Sequence, residues 1–181
     1  MTVLKYIFGF LATLACLPAT VVSGGLLGSL GWLFGWISPR KLRLFVPGCP
    51  IPELAWEILD KPGGTWLSRH FYYAAISWYL FSFYRDYVLN SARTVVHEGN
   101  HRLWSALFQL VGTPLYFYIG IKFDCWFLSS PLLMLWSAAY LVEYLRSKIF
   151  GEPLPKELEG VDKGYWRNIF EMLARGAEKN L

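Results

Sequence analysis

Charge is what this 181-residue chain has least of. Asp, Glu, Lys and Arg make up 17 % of it and apolar residues 55 %, against a charged share of about 25 % in soluble domains. So little polar surface cannot cover that much apolar surface in water, and composition points to a bilayer. Histidine and cysteine are scarce as well, with three of each. Three histidines are too few for a histidine-rich di-iron site. His70 is expected on the opposite membrane face from His97 and His101, which argues against a bis-histidine haem. Cys16, Cys49 and Cys125 are odd in number, with no CxxC and no metal-ligand spacing. Cys49 and Cys125 could meet on one side of the membrane. There is no Gly-rich phosphate loop and no Ser nucleophile in an elbow. Ionisable groups are missing from the middle of the apolar runs, which argues against a proton or ion pathway. The net charge of +4 is scattered, with no basic stripe to suit nucleic acid.

Aromatic residues, by contrast, reach 18 % and include nine Trp. From Tyr6 to Pro39 no residue is charged, a stretch of about 51 Å as straight helix against a hydrocarbon core of about 30 Å. Pro18 and Gly24-Gly25 are the natural places for it to kink or break. Gly24, Gly28, Gly31 and Gly35 include two GxxxG spacings, which either let another helix approach closely or reflect the general abundance of glycine in membrane helices. Pro52 suits the first turn of a short helix over 53–60, stopped at Lys61-Pro62-Gly63-Gly64. Aromatic residues crowd 68–84, and 103–121 and 125–142 flank the turn Lys122-Phe123-Asp124 as a hairpin. Trp36, Trp66, Trp104 and Trp126 fall near the expected span ends, as an aromatic belt does. After Arg146 the chain turns polar, and Val161, Tyr165, Trp166, Ile169, Phe170 and Leu173 recur at helical spacing opposite Arg167, Glu171 and Arg175.

The expectation is therefore an all-α integral membrane protein with about four transmembrane helices, over approximately 6–38, 68–84, 103–121 and 125–142. A short surface helix occupies the first connection, and an amphipathic helix lies near the C-terminus. Residues 1–148 form the polytopic domain and 149–181 a polar tail.

One constellation carries chemistry. His97-Glu98-Gly99-Asn100-His101 matches HExxH and resembles the zinc signature of the zincin metallopeptidases. On a helix, positions i and i+4 share a face, so two imidazoles can hold one zinc while the intervening Glu activates a water. That resemblance implies His97 and His101 as ligands and Glu98 as general base. Glu143, carried back by the expected hairpin, would be the downstream third ligand. The same residues also fit a helix that ends at Gly99 and restarts at Asn100, leaving the histidines on two helices.

Two functions follow from these features. One is an accessory subunit of a larger membrane complex, respiratory or otherwise energy-converting, with no cofactor of its own. The sequence does not name its membrane and suits a bacterial one as well as the mitochondrial inner membrane, toward which the accessory-subunit reading leans. It would meet the bilayer and other membrane subunits through Gly24, Gly28, Gly31 and Gly35 and the C-terminal helix. The other is a membrane-bound zinc peptidase.

Overall fold

The computed structural model describes residues 2–44, 46, 49–59 and 75–179. Helix α1 (Thr2–Ala19) carries Pro18, whose missing N–H and bulky ring cannot be fitted into a regular ladder. The chain widens there into one π-helical turn, Thr20–Gly25, and resumes as α2 (Leu26–Leu33). Gly35, at a φ of 65°, then turns it into a sheet. Strands β1 (Ile37–Arg43), β2 (Glu53–Ile58), β3 (Ala75–Trp78) and β4 (Phe81–Arg85) lie in the order β1-β2-β4-β3. β1 and β2 are antiparallel, β2 and β4 parallel, and β3 and β4 form a hairpin closed by Tyr79-Leu80. Tyr79 takes a left-handed φ of 56°, costly for a bulky residue. It is held there by burial and by its hydroxyl, which donates to the Leu133 carbonyl at 2.8 Å.

From Ala92 to Phe123 a single helix, α3, crosses the molecule. Ser91 caps its start and left-handed Asp124 ends it. The chain returns through α4 (Trp126–Ser129) and a 3-10 turn, Ser130–Met134, into α5 (Leu135–Phe150). Two short helices follow, α6 (Lys163–Trp166) and α7 (Ile169–Glu178). α1 lies along α3, where the Thr113 hydroxyl donates to the Ala15 carbonyl at 2.7 Å. Gln109 donates from α3 to the Leu133 carbonyl at 2.9 Å, tying the returning chain to the same helix.

The all-α, four-span expectation is thus corrected to a mixed α/β fold. Two helices, Val3–Val22 and Ala92–Phe123, are long and apolar enough to cross a membrane, and 28 % of an apolar 18-residue window in each is buried within the protein. The surface helix expected over 53–60 is instead strand β2. Its residues alternate, with Glu53, Ala55 and Glu57 buried and Leu54 and Trp56 more open, a period of two rather than 3.6. The described part of the second expected span is the β3–β4 hairpin, where Ser82 and Tyr84 point in and Phe81, Phe83 and Arg85 are half-buried. Hydropathy averages over that alternation and cannot see it. Residues 68–74 of that span, the stop at Lys61-Pro62-Gly63-Gly64, Trp66 and His70 lie outside the described residues. The fourth span is broken by Ser129-Ser130-Pro131, and the unbroken helix left, α5, runs about 24 Å, short of the ~30 Å a crossing needs.

A polar knot fixes the sheet to α3. Arg102, fully buried, donates to Glu53 Oε1 at 2.6 Å and to Ser82 Oγ at 2.8 Å. Glu53 also takes Arg43 and the Tyr84 hydroxyl. The guanidinium of Arg43 lies 5.4 Å from the centre of the Tyr84 ring.

Candidate metal centre

The helix break considered at Gly99-Asn100 does not occur. α3 runs unbroken through both residues, and Gly99 serves packing instead: a Cβ there would lie 3.2 Å from both Cys49 Cβ and Val46 Cγ1. His97 and His101 therefore share a face, one turn apart, with their Nε2 atoms 3.2 Å from each other. Arg102, the next residue, turns away to Glu53 and leaves that face clear.

The carboxylate that meets the imidazoles is Glu171, from α7. Its Oε1 lies 3.2 Å from His101 Nε2 and its Oε2 3.2 Å from His97 Nε2. Each imidazole Nε2 thus faces a different oxygen of one carboxylate, and one donor atom from each of the three residues lies within 4.8 Å of the others, close enough to share an ion. Oε2 makes no aligned hydrogen bond although it is buried, and buried His101 Nδ1 has no partner among the described residues. Two imidazole nitrogens and a carboxylate turned toward one another are donor types that can share a cation. His97 Nδ1 is 2.5 Å from Glu178 Oε1, so a carboxylate fixes the ring with Nε2 turned inward. Arg93 holds the other oxygen of Glu178 at 2.9 Å.

Burial works to raise the pKa of Glu171, but polar contact with His101 and His97 and a 2.7 Å hydrogen bond from the Tyr140 hydroxyl outweigh it. They hold the carboxyl well below the usual range. Tyr165 lies against the same carboxylate, and burial together with the Glu171 charge pushes its phenol up, so it stays protonated and able to donate. Beside these groups is a cavity of about 260 Å³, with Glu98, Tyr140 and Tyr165 on its polar side and Ile76 and Trp136 on its apolar side. Glu98 is buried, and its Oε2 is without a hydrogen-bond partner among the described residues.

Glu143, the expected third ligand, is placed elsewhere. It forms a bidentate pair with Arg146 and accepts the Ile169 amide at 3.2 Å. Those contacts keep its carboxyl ionised below the usual range. It sits at the N-terminus of α7, where a negative charge meets the positive end of the helix, and so helps to seat the helix that carries Glu171. Asn168 caps the same end, accepting from the Phe170 amide and donating to the Tyr140 carbonyl. The sequence does carry a signal for Glu171: Glu171 and Glu178 are seven residues apart with Ala174 between, one face of one helix. The apolar spacing pointed to the wrong face. Glu171 and Ala174 face inward, while Ile169 and Leu173 are exposed.

Two of the four glycines of the first run, Gly28 and Gly31, serve this chain's own packing. Gly24 lies in the π turn, and a Cβ on Gly28 would touch the Trp56 ring. One on Gly31 would come within 2.9 Å of Ile37, and Gly35 supplies the turn into β1. Cys49 and Cys125 cannot pair. Cys49 packs beside Gly99 and Cys125 follows the far end of α3, about 36 Å along the helix, and both are free thiols. No protein-family model, no curated protein and no solved structure matches this chain, so the reading of the site rests on its own geometry.

Proposed function

We propose that the protein is a membrane-bound, zinc-dependent peptidase. The observation that carries this is the meeting of His97, His101 and Glu171 within 4.8 Å of one another, beside a cavity lined by Glu98. Two imidazoles and one carboxylate are the donor set of a catalytic rather than a structural zinc site, because a fourth position is left for water or substrate. A zinc ion there would supply Lewis-acid polarisation of a carbonyl and a more acidic water.

The chain's own groups would do the rest. Glu98 takes a proton from the attacking water as its oxygen adds to the peptide carbonyl carbon. It then returns that proton to the amine as the C–N bond breaks. Tyr140 donates to the Glu171 carboxylate and Tyr165 lies against it, so both phenols would steady the ligand. Ile76 and Trp136 give an apolar substrate side chain a surface to rest on. Two helices of bilayer-spanning length support a membrane setting with two crossings.

The accessory-subunit reading draws less support, because Gly28 and Gly31 face Trp56 and Ile37 of the same chain rather than leaving a face for another helix. The test is metal content together with hydrolysis of a peptide library in proteoliposomes. Near-stoichiometric zinc is expected, lost in His97→Ala. Glu98→Gln is expected to keep the zinc and lower hydrolysis by about 10²–10⁴-fold. Metal-free protein at neutral pH would overturn the proposal.

A further inference from the structure

The helix that brings Glu171 to the imidazoles has two faces. Phe170, Glu171 and Ala174 turn inward, while Ile169, Met172 and Leu173 are 49 %, 52 % and 41 % exposed. These three make an i, i+3, i+4 stripe, the pattern of a buried helix face, yet among the described residues it is left exposed. The contacts of α7 fix its depth along α3. The Phe170 ring meets Trp104 and Phe108 at 5.8 and 6.1 Å, Glu171 meets His101 and His97, and Glu178 meets His97 and Arg93. α7 therefore runs antiparallel to α3, with its N-terminal half beside the uncharged stretch that begins at Leu103 and its C-terminal half beside the last charged turn.

Charge follows the same division. Both acids of α7 are spent inward on His97, His101 and Arg93. What is exposed toward the polar end is basic: Arg93, though paired with Glu178, is 72 % exposed at its side chain, and Lys179 is exposed. Arg175 stacks 4.2 Å from the centre of the Trp166 ring, an aromatic-cation pair of the kind that favours the headgroup level. The neighbouring α5, which bonds to α7 through Glu143 and Tyr140, also leaves Leu141, Val142 and Leu145 exposed.

We infer that α7 is an interfacial helix whose Ile169–Met172–Leu173 face rests in lipid, its polar end meeting anionic headgroups. The bilayer thereby helps to seat the third ligand. This rests on the zinc reading above for its consequence, though not for the lipid contact itself. Metal affinity should depend on a residue that touches no ligand.

The test uses the full chain in nanodiscs containing phosphatidylglycerol, with Cys125→Ser to leave only the buried thiols. A polarity-sensitive fluorophore on Met172→Cys is expected to be quenched by nitroxide-labelled lipid, and one on Glu159→Cys in the linker is expected not to be. Met172→Glu is expected to raise the zinc concentration for half-saturation roughly tenfold. A Met172 label unquenched in protein that still binds zinc overturns the inference and leaves the zinc reading standing, with a protein partner as the occupant to seek. A quenched label in protein that binds no zinc upholds the lipid contact and removes the zinc reading.

Discussion

Glu178 shows how much one residue outside the donor set can matter. Its carboxylate holds His97 Nδ1 at 2.5 Å and is itself steadied by Arg93. A neutral amide could still accept that hydrogen bond but would not raise the basicity of the ring. Glu178→Gln is expected to weaken zinc binding by about 10–100-fold, read by competition with a chromophoric chelator. Arg102 has the opposite role, since it touches no part of the site and everything beneath it. Arg102→Met would leave Glu53 buried with Arg43 as its remaining cation, and a loss of about 3 kcal/mol is expected in denaturant unfolding. The pairing of His97 with His101 was legible in the sequence because i and i+4 is a local relation. The face that Glu171 shares with Ala174 and Glu178 was legible for the same reason, but its meeting with the histidines was not, because it reaches them from 70 residues away.

Among the elements, α7 depends most on its neighbours. Ten residues are too few for a stable helix in isolation. Asn168, Glu143 and the Phe170 ring stack hold it. The two carboxylates near it should therefore behave differently. Glu143→Ala removes a helix-terminal charge worth about 0.3–1 kcal/mol, so zinc affinity should fall less than tenfold. Glu171→Ala should abolish stoichiometric zinc. Equal losses in the two variants, measured by metal analysis after dialysis, would return Glu143 to the ligand set. At this scale the sequence misled most over the sheet. Phe81-Ser82-Phe83-Tyr84 has the hydropathy of a membrane helix, but alternation puts Ser82 and Tyr84 against Arg102 and Glu53. Pairing partners for a strand are non-local, so a window average cannot find them.

At the scale of the whole molecule, α3 carries all three features in order: the metal site on one face, the buried junction with the sheet at Arg102, and the uncharged stretch beside α1. Acid should empty that site in a definite way. Because the folded pKa of Glu171 is depressed, its ionised form contributes above the ordinary carboxylate range and is lost only as pH falls through the lower folded value. Between pH 7 and 5 the carboxylate stays charged, so protonation of Glu171 contributes nothing to any zinc release in that range. Carboxylate infrared absorption is expected to show Glu171 ionised throughout, with zinc and without it. A protonated carboxyl band in that range that disappears in Glu171→Gln would overturn this.

Sequence alone determined the uncharged run at the N-terminus, the uncharged stretch 103–121 and the one-turn spacing of His97 and His101. Each is a property of residues close together in the chain, where composition and helical period act directly. Tertiary structure decided the rest: which acid faces the imidazoles, what covers Gly28 and Gly31, and whether 53–58 and 75–85 are helix or strand. Those outcomes depend on partners distant in sequence. A buried charge such as Arg102 is tolerable only because folding brings Glu53 to it.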